Sequence, residues 1–161
     1  MGQQQLLLVI LVTIIVGIAT VVAINTFGAA ADDANVQASI QDSAQIGATA
    51  QSFYMRPEML GGGGRDFSDI TWDDIPMGFD DDCAHIEGNP ERCNENAGFT
   101  TITSPGSNDF TFTTIPAQAG GVIAVRVCAD DVQMSSWDAD GTLGPSDAPD
   151  CDNGDEGGEG G

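Results

Sequence analysis

The chain has 161 residues and sets 4 Arg and no Lys against 25 Asp and Glu, for a formal net charge of −21. Such a surface repels phosphate backbones and excludes a nucleic-acid partner; it points to a saline setting, where salt screens the carboxylates, more than to a cationic partner. The length allows one helical anchor and a head of about 100 residues, room for a single small domain.

Gln3, Gln4 and Gln5 lead into LLLVILVTIIVGIATVVAI, an uncharged run from Leu6 to Ile24. As a helix its roughly 19 residues measure about 28 Å, close to the ~30 Å hydrocarbon core of a bilayer. No Pro precedes Pro57, so nothing stops the helix at the membrane surface, and one helix is predicted over residues 3–56. In its second half Phe27, Val36, Ile40, Ala44, Gly47, Ala50 and Tyr54 recur at three- and four-residue steps, with Asp32, Asp33, Gln37, Gln41, Asp42 and Gln45 mostly between them. That pattern predicts an amphipathic stalk with a thin apolar stripe.

Pro57 ends the helix, and the run Gly61 to Gly64 reads as a flexible joint over 57–65. A phosphate-cradling loop is excluded, because Arg65-Asp66 follow the glycines where Lys and Ser or Thr are needed.

The head, 66–151, opens with a short strand predicted over Asp66 to Trp72, anchored by Phe67, Ile70 and Trp72. Gly78 to Gly98 is acidic and irregular. Phe99–Thr103 and Phe110–Ile115 flank Ser104-Pro105-Gly106-Ser107-Asn108-Asp109 and read as a hairpin. Val122–Cys128 is the most strand-like segment, with Ile123, Val125 and Val127 on one face and Ala124 and Arg126 on the other. The predicted fold class is α+β, a long N-terminal helix packed on a three- or four-stranded antiparallel sheet. Beyond Cys128 the chain turns polar, and the acidic tail 152–161 is predicted to be disordered.

Cys83, Cys93, Cys128 and Cys151 all follow the apolar run, which favours two disulfides in an oxidising compartment. Their spacings are too wide for a zinc site, and His85 is the only His. Of the three connectivities, Cys83 with Cys93 and Cys128 with Cys151 join sequence neighbours, which meet most readily. No catalytic constellation emerges: a Ser/His/Asp arrangement would rest on His85 in a Gly- and Asp-rich loop, and paired carboxylates carry little information in so acidic a chain. The chain is not expected to be an enzyme.

A short leader ending in Gly2, an uninterrupted apolar helix, an amphipathic continuation and a small disulfide-bearing β head resemble the type IV pilin and pseudopilin superfamily. The resemblance implies cleavage after Gly2, with Gln3 as first mature residue, and apolar helices that bundle into the core of an extracellular filament. It implies a homo-oligomer, anchored in the inner membrane before assembly and at the cell surface afterwards. The fifth mature position holds Leu7, where most members carry Glu. Close helix packing would use Gly17, Ala19, Thr20 and Ala23 alongside Leu7. Family members often bracket the C-terminal region with a disulfide, which supports Cys128–Cys151. Two other readings use the same apolar run: a monomeric membrane-anchored binding module outside the cytoplasm, and a pseudopilin component of a secretion machine.

Ser136 to Asp147 places oxygen-bearing side chains at the first, third, fifth and twelfth positions of an EF-hand-like loop, with Gly141 at the sixth. The spacing allows a calcium site using Asp138, Asp140 and Asp147, or a plain solvated turn.

Overall fold

The computed structural model describes residues 2–80 and 82–151. Met1 of the expected leader and the tail 152–161, predicted to be disordered, lie outside the described residues. The chain divides into two compact units, Met1–Ala34 and Asn35–Gly161. Helix α1 spans Gly2–Met55, 54 residues long. The unit boundary therefore falls within the helix, not at the glycine run.

The first unit is helical throughout its described residues, and all of them are exposed. Gly17 does not interrupt the helix. The second unit is the α+β head, where the rest of α1 packs on a five-stranded antiparallel meander: β1 (Arg92–Cys93), β2 (Ala97–Phe99), β3 (Asp109–Pro116), β4 (Ile123–Cys128) and β5 (Val132–Met134), in that spatial order. Five strands replace the three or four predicted. The additional β1 and β5 have two and three residues, too short for an alternating pattern to show in the sequence.

In β3 and β4, Phe110, Phe112 and Thr114 lie opposite Val127, Val125 and Ile123. These strand residues, except Thr114, join Val36, Ile46, Ala50 and Phe53 of α1 in the main core, together with Phe67, Ile70, Trp72 and Phe99. The aromatic rings meet mostly edge to face: Trp72 stands 5.4 Å from Phe112 and Phe67 5.3 Å from Phe110, the arrangement that ring quadrupoles favour. Ile115, on the opposite sheet face, forms a second cluster with Ile86 and Cys93.

The inner face of the stalk differs from the predicted stripe. Phe27 and Ala44 are exposed, while Asn35, Ser39, Ser43, Ile46 and Phe53 are buried. The polar members are buried because each finds partners. Ser43 Oγ and Thr114 Oγ1 are hydrogen-bonded at 2.7 Å, and Ser39 Oγ donates to the Asn35 carbonyl at 2.8 Å. Asn35 Nδ2 donates to the Asn96 carbonyl at 3.0 Å, while Asn35 Oδ1 accepts the amides of Gln118 and Ala119 at 2.9 and 3.3 Å. One side chain thus ties the helix to two loops of the head.

Residues 66–71 are not a strand. Asp66 Oδ1 accepts the Ser68 amide at 2.7 Å, and Asp74 Oδ2 accepts both the amide and the hydroxyl of Thr71 at 2.9 and 2.8 Å, opening a 3₁₀ turn at Trp72–Asp74. Local side-chain acceptors occupy the backbone donors a ladder would need. Phe67, Ile70 and Trp72 are nevertheless core residues.

The disulfides join Cys83 to Cys93 and Cys128 to Cys151. Arg126 adds to the second: its guanidinium pairs with Asp109 at 2.7 Å and Asp150 at 3.3 Å and donates to the Pro149 carbonyl at 2.9 Å. The segment before Cys151 is held against β3 and β4 both covalently and by charge.

Candidate functional site

The longest exposed apolar surface is the first unit of α1. Every side chain from Leu6 to Ile24 is exposed, and the helix is long and apolar enough to cross a membrane. Its hydroxyls are turned inward on the helix: Thr13, Thr20 and Thr26 donate to the carbonyls of Ile10, Val16 and Val22 at 2.8, 2.8 and 2.9 Å. A helix that satisfies its own backbone and hydroxyl donors can enter a lipid core or a bundle of like helices without leaving a polar group unpaired. At about 100° per residue, Ala19, Thr20 and Ala23 fall in one arc of about 100°, and Gly17 lies about 60° beyond Thr20. The four form a low surface where another helix can approach closely, with Leu7 exposed nearer the N-terminus. Gly2 and Gln3 are the first two residues of α1 and are also exposed.

In the Ser136–Asp147 loop the carboxylates face the loop's own backbone. Asp138 Oδ2 accepts the Thr142 amide and hydroxyl, each at 2.8 Å, and the Leu143 amide at 3.3 Å, while Oδ1 accepts the Asp140 amide at 3.2 Å. These bonds, that of the Thr142 hydroxyl first, hold the Asp138 carboxyl below the usual aspartate range. Asp147 Oδ2 accepts the Gly144 amide at 2.7 Å, within its own 3₁₀ turn at Pro145–Asp147. Among the described residues no group of three or more His, Cys, Asp and Glu is placed to hold a metal ion. His85 stands exposed in the loop closed by Cys83 and Cys93.

Compared with protein families, curated proteins and solved structures, the chain matches none. Its functional surface must therefore be judged on its own chemistry.

The glycine run, expected to be a flexible joint, folds into a cap on the end of α1. The amides of Gly63, Gly64 and Arg65 donate back to the carbonyls of Phe53, Arg56 and Tyr54 at 3.0, 3.0 and 2.8 Å. Gly61 takes φ +73°, which closes the short 3₁₀ turn Glu58–Leu60. A Cβ on Gly62 would strike the Arg56 carbonyl, and one on Gly63 the Asp66 carbonyl and the Phe53 ring. The wrap is tight because glycine alone fits there. It holds Met59 and Leu60 out in solvent, 91% and 70% exposed, beside Met55 at 71%. Sequence reasoning passed over this surface; the visible signal was an apolar Met-Leu pair set between Pro57 and four glycines.

Proposed function

We propose that the chain is a pilin-like structural subunit of an extracellular helical filament, membrane-anchored until its apolar helix enters the filament core. The observation that supports this best is that residues 6–24 expose apolar side chains on every side of a helix that continues, with no linker, into the helix packed on the head's sheet. A tethered binding module needs only an anchor and has no use for unbroken helix between anchor and domain. A subunit that stacks by its helix has a use for helix along its whole length. Gly17, Ala19, Thr20 and Ala23 are the positions of closest helix approach, two disulfides harden the head for an oxidising exterior, and carboxylates keep it hydrated.

The test combines electron microscopy of material sheared from the cell surface with N-terminal sequencing. Filaments whose subunits begin at Gln3 are expected. In the double variant Thr20→Leu plus Ala23→Leu, filaments are expected to disappear while the chain still fractionates with membranes, because the span is preserved and only the close approach is blocked. Chains that keep Gly2 and occur only in membranes would instead identify an anchored binding module.

A further inference from the structure

A groove of about 690 Å³ opens in the head beside the end of α1, within the range of about 300–1,000 Å³ that small-molecule sites occupy. Five segments far apart in sequence build it: Tyr54 comes from α1, Arg65 from the glycine wrap, Asn108 from the turn before β3, Asp130 from the turn between β4 and β5, and Asp150 from the segment before Cys151. Part of the lining is already satisfied. Arg126 is engaged by the carboxylates of Asp109 and Asp150 and donates to the carbonyls of Ala148 and Pro149. The rest of the polar lining is not. The side chains of Tyr54, Arg65, Asn108 and Asp130 make no hydrogen bond or ion pair among the described residues.

These four groups select a ligand class by their chemistry. The Arg65 guanidinium only donates, the Asp130 carboxylate only accepts, and Asn108 and Tyr54 do both. Their charges cancel, so in a chain of net charge −21 the unengaged set is neutral. A guanidinium, a carboxamide and a carboxylate are each planar and present paired hydrogen-bonding atoms, which match two neighbouring hydroxyls. Tyr54 and the exposed Met55 add apolar surface, and the Tyr54 ring is held 4.7 Å from that of Phe67. An anion would meet Asp109, Asp130 and Asp150 in the same groove. A bare cation finds no group of three ligands among the described residues, and a zwitterion would use Arg65 and Asp130 while leaving Asn108 and Tyr54 unpaired. We propose that the groove binds a neutral carbohydrate, whose adjacent hydroxyls both donate and accept and whose ring C–H face is apolar. The site stands whether or not the chain polymerises.

The test applies the full chain, in a detergent without a sugar headgroup, to an array of neutral, sialylated and sulfated oligosaccharides. Saturable binding to neutral members is expected, while the sialylated and sulfated ones are repelled by the groove's carboxylates and by the net charge. The best-bound neutral oligosaccharide is then titrated by calorimetry against two variants. Asn108→Ala plus Asp130→Ala is expected to weaken binding by about tenfold or more, and Tyr54→Phe, which keeps the ring contact with Phe67, by about threefold. Melting temperatures of both variants should match the wild type, because the groups removed have no hydrogen-bond partner within the described fold; lost binding is thereby separated from misfolding. An array with no neutral member bound, binding confined to sialylated or sulfated members, or neutral binding undiminished in the double variant would each overturn the site.

Discussion

Asp138 illustrates how one residue's surroundings select its chemistry. Its carboxylate has the spacing of a cation ligand, yet in the folded loop its two oxygens accept four hydrogen bonds from Asp140, Thr142 and Leu143. Because the folded carboxyl titrates below its ordinary range, the stabilisation is fully present above that range and is lost as pH falls below it, through the lower range in which the folded carboxyl takes up its proton. Asp66 follows the same rule, held low by the Ser68 hydroxyl and amide. Thermal melts of the full chain in detergent, taken from about pH 5 to about pH 3, should fall with acid. Asp138→Ala should flatten part of that limb, and an unchanged slope would show that the bonds do not form in solution.

Glycine has opposite consequences at the level of elements, depending on what surrounds it. In a flexible joint, Gly→Ala removes unfolded-state entropy and stabilises by about 0.4–1 kcal/mol. In the cap, the added methyl at position 63 meets the Asp66 carbonyl and the Phe53 ring. Gly63→Ala is therefore expected to destabilise the head by about 1–3 kcal/mol, the usual cost of overpacking. Urea unfolding followed by tryptophan fluorescence reads the sign directly, since Trp72 is buried in the head core. A stabilised variant would mean that the run is a joint after all.

Charge governs the whole molecule. With a net charge of −21, self-repulsion opposes the compact head and is relieved by screening, whose length falls from about 10 Å at 0.1 M salt to about 3 Å at 1 M. The melting temperature should climb with NaCl, and a flat profile would remove the saline reading. The engaged oxygens of Asp138 lead to a companion expectation, that calcium and magnesium at equal ionic strength raise the melting temperature alike. A calcium-specific rise abolished by Asp138→Ala plus Asp140→Ala would instead reveal ligation.

The sequence by itself determined the features that depend on local pattern. The charge-free run Leu6–Ile24 dictates an exposed apolar helix, the alternation in Ile123–Cys128 dictates an interior strand, and the turn residues between Thr103 and Phe110 dictate the reversal into β3, although the strand before it is Ala97–Phe99 and not the predicted Phe99–Thr103, of which Thr103 keeps only an isolated bridge to Thr111. Adjacent cysteines likewise pointed to the two pairings that the structure contains. Only the tertiary structure decided which face of the stalk is buried. Asn35, Ser39 and Ser43 look like solvent residues until Asn96, Thr114 and the Gln118 and Ala119 amides arrive from some 60 to 80 positions away to satisfy them. It also decided that four glycines form a tight wrap, because their close approach to Arg56 and Asp66 exists only once the chain has folded back on the helix end. A pattern in one dimension records periodicity and local turn chemistry, whereas burial of a polar group and close backbone approach depend on partners distant in sequence.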